Sequence, residues 1–250
     1  MQSQLEEDSL FSLSPQAWSQ IDAAKLVLCD LDGCLAVENV PLSGADRLAE
    51  RLGDRLTVVS NNSTLRSVEL ADHLGRFGLM IRPDAIYLAG EVAIRIVATA
   101  HPGCKALVVG SRPMRELASE LGLTLTDKDP DVVILGRDDN LFLSRAQKVV
   151  DALSQGAVFY LTNPDPSRPG VGGIPQIETG AVQSMFQAVL PGITPIIIGK
   201  PSAAFFWHVL RDRAVSPADA LMIGDTFETD IQGATAVGMK SIWLRAKITA

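Results

Sequence analysis

The stretch Val27-Leu28-Cys29-Asp30-Leu31-Asp32-Gly33 ends an apolar run on two carboxylates one residue apart. Neighbouring carboxylates repel and lose hydration when buried, so buried strands rarely finish on such a pair. Cys29 and Cys34 flank it, which raises thiol chemistry as the competing reading. A cysteine inside an apolar strand, however, usually behaves as a small buried hydrophobe. The carboxylates are the groups whose chemistry needs explaining.

Three further apolar runs stop on residues suited to a phosphate or a metal ion. They are "TVVSNNS", which reaches Ser60, "IIIGKP", which reaches Lys200, and "LMIGDTFETD", which reaches Asp225 and Asp230. An aspartate after a strand is most often a cap or turn residue, so each is weak alone. In an open parallel sheet, ligands bind beyond the carboxyl ends of the strands. If adjacent, these four ends would bring Asp30, Asp32, Ser60, Lys200, Asp225 and Asp230 together.

The elements that must position them alternate along the chain. "KLVLC" (25–29) and "RLTVVS" (55–60) read as buried strands, and further strands are expected at 86–88, 106–109, 132–135, 158–161, 195–198, 220–223 and 241–244. Helical spacing recurs over 43–53, with Ser43 as cap and Gly53 as stop, and over 66–78, 112–122, 143–156, 202–214 and about 228–237. This alternation predicts an α/β architecture with a mainly parallel sheet. One stretch breaks the rhythm: "NPDPSRPGVGGIP" (163–175) is too rich in proline and glycine for helix or central strand and reads as a surface connection or domain boundary.

Bulk properties narrow the function classes. A chain of 250 residues with net charge −7 and no Lys/Arg block lacks the basic footprint of a nucleic-acid or membrane-surface protein. Three scattered cysteines do not make a disulfide framework and suit a reduced compartment. The N-terminus is acidic and polar where a signal peptide would be basic and then apolar, and no apolar run is long enough to span a bilayer. A cytoplasmic protein is expected.

The four strand ends together resemble the haloacid dehalogenase superfamily. Asp30-Leu31-Asp32-Gly33 matches its D-x-D-G, Ser60 its strand ending in Ser or Thr, Lys200-Pro201 its lysine, and Gly224-Asp225 with Asp230 its final acidic motif. Cys34 departs from the Thr or Val of many members. The resemblance implies a Rossmann-like core in which Asp30 attacks phosphorus to form an aspartyl-phosphate. Asp32 would protonate the leaving oxygen and then deprotonate water. It also implies Mg²⁺, which suits an all-oxygen site, held by Asp30, Asp225 and the backbone carbonyl of Asp32, with Asp230 in support. Lys200 would hold the phosphoryl group beside the nucleophile. Ser60 and the amide of Asn61 would donate to its non-bridging oxygens, and Gly33 would let the backbone turn tightly beside it.

The second aspartate argues for phosphoryl transfer, because the superfamily's dehalogenases lack it. Phosphonate-cleaving members typically carry a smaller residue there, and P-type ATPases need membrane segments. The expected function is therefore a phosphomonoester hydrolase acting on a small phosphorylated metabolite. A phosphotransferase with an alcohol acceptor and a non-catalytic metabolite-binding regulator are the alternatives.

Between Ser60 and Lys200 lie many more residues than one or two strand–helix units need, a surplus of roughly a hundred. An inserted cap at 89–180 is expected, splitting the core into 1–88 and 181–250, as in the class II, type A subgroup, whose members are often dimeric. The resemblance places Asn163-Pro164-Asp165 near the leaving group, so Asn163 and Asp165 join the substrate-binding candidates. Arg137 and Arg168 could meet an anionic leaving group, although solvated surface arginines are the plainer reading. His73, His101 and His208 are too scattered for a metal site.

Overall fold

The computed structural model describes residues 13–168 and 174–244. The N-terminal part of the stretch weighed against a signal peptide, and residues 169–173 of the Pro/Gly segment, lie outside them. Strands follow as β1 (Leu26–Asp30), β2 (Ala36–Val37), β3 (Val40–Pro41), β4 (Leu56–Ser60), β5 (Ile86–Leu88), β6 (Lys105–Val109) and β7 (Thr124–Leu125). They continue as β8 (Val132–Leu135), β9 (Val158–Leu161), β10 (Ser167–Arg168), β11 (Gln176–Ile177), β12 (Ile196–Ile197), β13 (Ala220–Gly224) and β14 (Lys240–Trp243). The helices are α1 (Pro15–Ala23), α2 (Ala45–Leu52), α3 (Ser67–Arg76), α4 (Ala89–Ala100), α5 (Arg112–Glu120), α6 (Leu143–Ser154), α7 (Thr179–Val189), α8 (Ala203–Asp212) and α9 (Gln232–Ala236). Among the described residues, no helix is long and apolar enough to cross a membrane.

The chain divides into two compact units. The first comprises the described residues through Ser60, Ser67–Tyr87 and those from Ala203 onward; the second comprises Asn61–Arg66 and Leu88–Ser202. In the first, the sheet order is β14-β13-β1-β4-β5. β1 runs parallel to both β13 and β4, and all five of its residues are buried. A strand covered on both faces must be apolar throughout, which is why 25–29 reads as a continuous run rather than an alternation. From β1 the chain moves to β4 and β5 on one side and later returns to β13 and β14 on the other. The order reverses between β1 and β13, and that switch point is where such sheets open a crevice at their carboxyl ends.

The second unit has its own parallel sheet, β12-β9-β8-β6-β7. Its core joins Leu107, Val133 and Phe159 of the sheet to Val149 of α6 and Phe186 of α7. Phe186 is 1% exposed, and β12 pairs with β9, so the unit runs past residue 180 to Ser202. Within it the Pro/Gly stretch enters an antiparallel ribbon, β10 with β11.

One local expectation changes. α2 begins at Ala45 with Gly44 as its N-cap at φ 87°, and no side chain caps it. Ser43 therefore lies outside the cap, because the left-handed glycine turns the chain into the helix. α4 is buried over most of its length and so lacks the polar face that makes a helix legible by periodicity.

Candidate active site

Asp30 is the last residue of the central strand β1 and is 6% exposed. Beyond it the carbonyl of Leu31 accepts bonds from the amides of Cys34, Leu35 and Ala36, at 3.3, 2.9 and 2.8 Å. Gly33, at φ 86°, donates its N–H to Ala36 O at 2.9 Å and closes the turn. A β2–β3 hairpin follows, turning at Glu38 and Asn39 with φ 50° and 62°, the left-handed pair that suits a tight hairpin. This turn leaves Asp30 buried and Asp32 exposed.

The neighbouring strand β13 delivers Asp225. Ligand atoms of Asp30, Cys34 and Asp225 lie within 4.8 Å of one another. The close approach depends on Gly33, since a Cβ there would fall 2.0 Å from Asp225 Oδ2. Thr226 Oγ1 donates to Asp225 Oδ1 at 3.1 Å, and Trp243 Nε1 donates to the Asp225 carbonyl at 2.9 Å. Asp230 is fully buried, and its Oδ2 accepts the Thr226 amide at 3.1 Å. It packs so closely on Gly224 that a Cβ there would lie 2.3 Å from its own. Asp230 thus holds the loop that presents Asp225.

This donor set fits Mg²⁺: two convergent carboxylates on rigid strand ends supply hard oxygen ligands. Cys34 adds a sulfur within the same space. A hydrogen bond with Cys29, burial and the nearby Asp30 and Asp225 carboxylates push its thiol well above the ordinary 9.0. That direction works against formation of the thiolate at this position. Ser60 ends β4 at 2% exposure, one residue beyond Val59, the register partner of Asp30.

The second unit carries the remaining expected residues. Asn61 Nδ2 donates to Asp165 Oδ2 at 2.8 Å and to the Lys200 carbonyl at 2.9 Å. Asn163 is 1% exposed; its Nδ2 donates to the same Asp165 oxygen at 3.0 Å and its Oδ1 accepts from Thr162 Oγ1 at 2.9 Å. Lys200 is 2% exposed. Both candidate substrate contacts from the Pro/Gly stretch are therefore engaged with protein groups. Arg137 and Arg168 both reach Glu178 Oε1, at 3.1 and 3.2 Å, and Arg137 also bonds Asp139 at 2.8 Å. Neither is simply a solvated surface charge. The histidines are dispersed: His73 packs on Phe77, His208 on Tyr87, and His101 bonds Tyr160.

Residues 27–124 match a family of haloacid dehalogenase-like hydrolases, and residues 197–250 match a second, HAD-hydrolase-like, family. The chain belongs to the haloacid dehalogenase-like hydrolases. Its curated relatives include a dihydroxyacetone phosphatase of Corynebacterium glutamicum, 29% identical over 89% of this chain and 81% of that protein. Among solved structures, NagD from E. coli K-12 is 26% identical with TM-score 0.82, covering 91% of this chain and 90% of that one. A glycerol phosphate phosphatase from Mycobacterium tuberculosis, solved in complex with magnesium, is 25% identical with TM-score 0.83, covering 90% of this chain and 68% of that one.

Within this family architecture, the placement of three residues was not legible in the sequence. Cys34 enters the Asp30–Asp225 space because the turn after Asp30 folds back on itself, a geometry its position four residues on could have suggested. Thr226 directly follows Asp225, so adjacency was its only signal. Trp243 lies 18 residues from Asp225, and no local pattern links the two.

Proposed function

We propose that the protein is a Mg²⁺-dependent phosphomonoester hydrolase that works through an aspartyl-phosphate on Asp30. The observation that carries this reading is a buried carboxylate, Asp30, at the end of the central strand, with the Asp225 carboxylate admitted beside it by the bare Gly33. Asp30 and Asp225, the Asp32 carbonyl and, in support, Asp230 would hold the cation. Bound there, Mg²⁺ supplies positive charge that lowers repulsion between carboxylate and phosphate.

Asp30 attacks phosphorus in line, forming the acyl phosphate as the ester P–O bond breaks. Asp32 gives its proton to the departing oxygen. It then takes a proton from water, whose oxygen attacks phosphorus and releases inorganic phosphate and free Asp30. The exposure of Asp32 suits a group that must meet both leaving group and water. Ser60 and the Asn61 amide are assigned to the non-bridging oxygens and Lys200 to the phosphoryl charge, all three on the motif resemblance.

We assign substrate selection to the second unit, as the class II, type A resemblance implies. The relatives named as dihydroxyacetone, acid sugar and glycerol phosphate phosphatases support a short polyol or sugar phosphate as substrate. Free Cys29, Cys34 and Cys104 support a reduced, cytoplasmic setting. The subgroup resemblance also carries a homodimer, which light scattering would read.

The deciding experiment is phosphate release from dihydroxyacetone phosphate, glycerol phosphate, sugar phosphates and p-nitrophenyl phosphate with Mg²⁺, with Asp30→Asn as control. Turnover that disappears in Asp30→Asn is expected. Activity surviving that change would sink the nucleophile assignment. Inactivity across the panel despite measured Mg²⁺ binding would favour a binding regulator. Capture of phosphate by added alcohols at the expense of water would favour a transferase.

A further inference from the structure

We propose that Asp165 is a positioning residue for Lys200, acting through Asn61, rather than a contact for the leaving group. The proposal rests on the phosphatase reading, in which Lys200 carries the phosphoryl charge. One oxygen, Asp165 Oδ2, accepts from Asn61 Nδ2 at 2.8 Å and from Asn163 Nδ2 at 3.0 Å. The second proton of Asn61 Nδ2 goes to the Lys200 carbonyl at 2.9 Å. Both partners of that nitrogen are pure acceptors, so the amide can face only one way.

The cost of that orientation is visible. Asn61 Oδ1 is buried with no hydrogen-bond partner, and it lies where a Cβ on Gly199 would approach within 2.7 Å. An amide with no constraint would not bury an unmet oxygen, because the lost hydration is not replaced. Two bonds from Nδ2, one of them to a carboxylate, hold it there. Only glycine at 199 leaves room for the arrangement.

Asp165 is itself anchored along its main chain. The Gly180 amide donates to its carbonyl at 2.8 Å, and a Cβ on Gly180 would meet Pro164 O at 2.1 Å. On the other side, the Gly199 amide donates to Thr162 O at 2.7 Å. A clamped loop thus presents one carboxylate oxygen to Asn61, and Asn61 holds the Lys200 carbonyl, next to the Cα that bears the lysine side chain. A lysine has a long, flexible stem, and fixing its backbone end narrows where the ammonium can sit.

The test compares wild type, Asp165→Ala, Asp165→Asn, Asn61→Ala and the Asp165→Ala/Asn61→Ala double variant on p-nitrophenyl phosphate and glycerol phosphate. Misplacement of a charged group by a fraction of an ångström to one ångström costs on the order of 10- to 100-fold in kcat. That loss is expected in Asp165→Ala, equally on both substrates, with KM nearly unchanged. Asp165→Asn keeps an oxygen acceptor and should recover most of it, while the double variant should be no worse than the poorer single one. A loss that depends on the leaving group, a wild-type kcat in Asp165→Ala, or multiplicative losses in the double variant would overturn the proposal. Should wild type turn over no phosphate ester, the phosphatase reading fails separately. The crystal structure of Asp165→Ala still decides the linkage, since an unmoved Asn61 amide and Lys200 carbonyl would refute it.

Discussion

Gly33 and Asp225 occupy one space: a Cβ on Gly33 would sit 2.0 Å from Asp225 Oδ2, so the loops after β1 and β13 meet where only a hydrogen atom fits. The two residues follow neighbouring strands brought together by the reversal of sheet order. Replacing Gly33 by alanine therefore does two kinds of damage. A left-handed φ of 86° costs a residue with a Cβ about 1–2 kcal/mol. Displacement of Asp225 should lower kcat/KM at least ~100-fold. Urea denaturation and steady-state kinetics on Gly33→Ala measure the two effects; a variant with normal kinetics would show that Asp225 need not approach so closely.

Asp230 supports Asp225 through the Thr226 amide. Asp230→Ala removes the fully buried acceptor of the part-buried Thr226 amide, a hydrogen bond whose loss costs about 0.5–1.5 kcal/mol. Loss of a group that orients a metal ligand weakens metal affinity about 10- to 100-fold. Titration calorimetry with Mg²⁺ should show that weakening, and unchanged affinity would confine Asp230 to folding.

Cys34 lies beside the two carboxylates and, like Cys29, is 0% exposed, whereas Cys104 is partly exposed. Brief alkylation of the native protein, mapped by mass spectrometry, should label Cys104 ahead of both. Cys34→Val keeps a small apolar volume and should cost less than ~1.5 kcal/mol in stability while retaining turnover. Rapid native labelling of Cys34, or loss of turnover in the valine variant, would return the thiol to the chemistry.

Glu178 gives a pH signature in the second unit. Burial, opposed in part by Arg137 and Arg168, raises its carboxyl above the ordinary 4.5. The folded protein then binds this proton more tightly than the unfolded chain, so its contribution to stability falls as pH rises from that ordinary value through the raised one. Glu178→Gln cannot ionise. Its Tm relative to wild type should therefore climb across that window, and a relative Tm that instead declines would mean the arginine pairing outweighs burial.

Much of this was legible locally. β1 shows itself as an unbroken apolar run because both its faces are covered, and α5 and α6 show themselves because each keeps one wet face. α4 did not, since it is buried over most of its length. The unit boundary past residue 180 was hidden for a different reason: Phe186 looks like any helical apolar residue until it is seen in one buried cluster with Leu135 and Phe159.

Local stretches of chain were enough to establish the α/β alternation and the polar residues at or just beyond its strand ends, including the Asp30–Asp32 pair, Ser60, Lys200 and Asp225. Those are properties of runs and near neighbours, which backbone geometry translates directly into elements. The tertiary structure alone decided that β13 lies against β1, that Gly33 must be bare for Asp225, and that Asn61 binds Asp165 and Lys200 across 104 and 139 residues of chain. Such contacts form only when the whole fold closes the loops between them, and no local pattern encodes which distant partner will arrive.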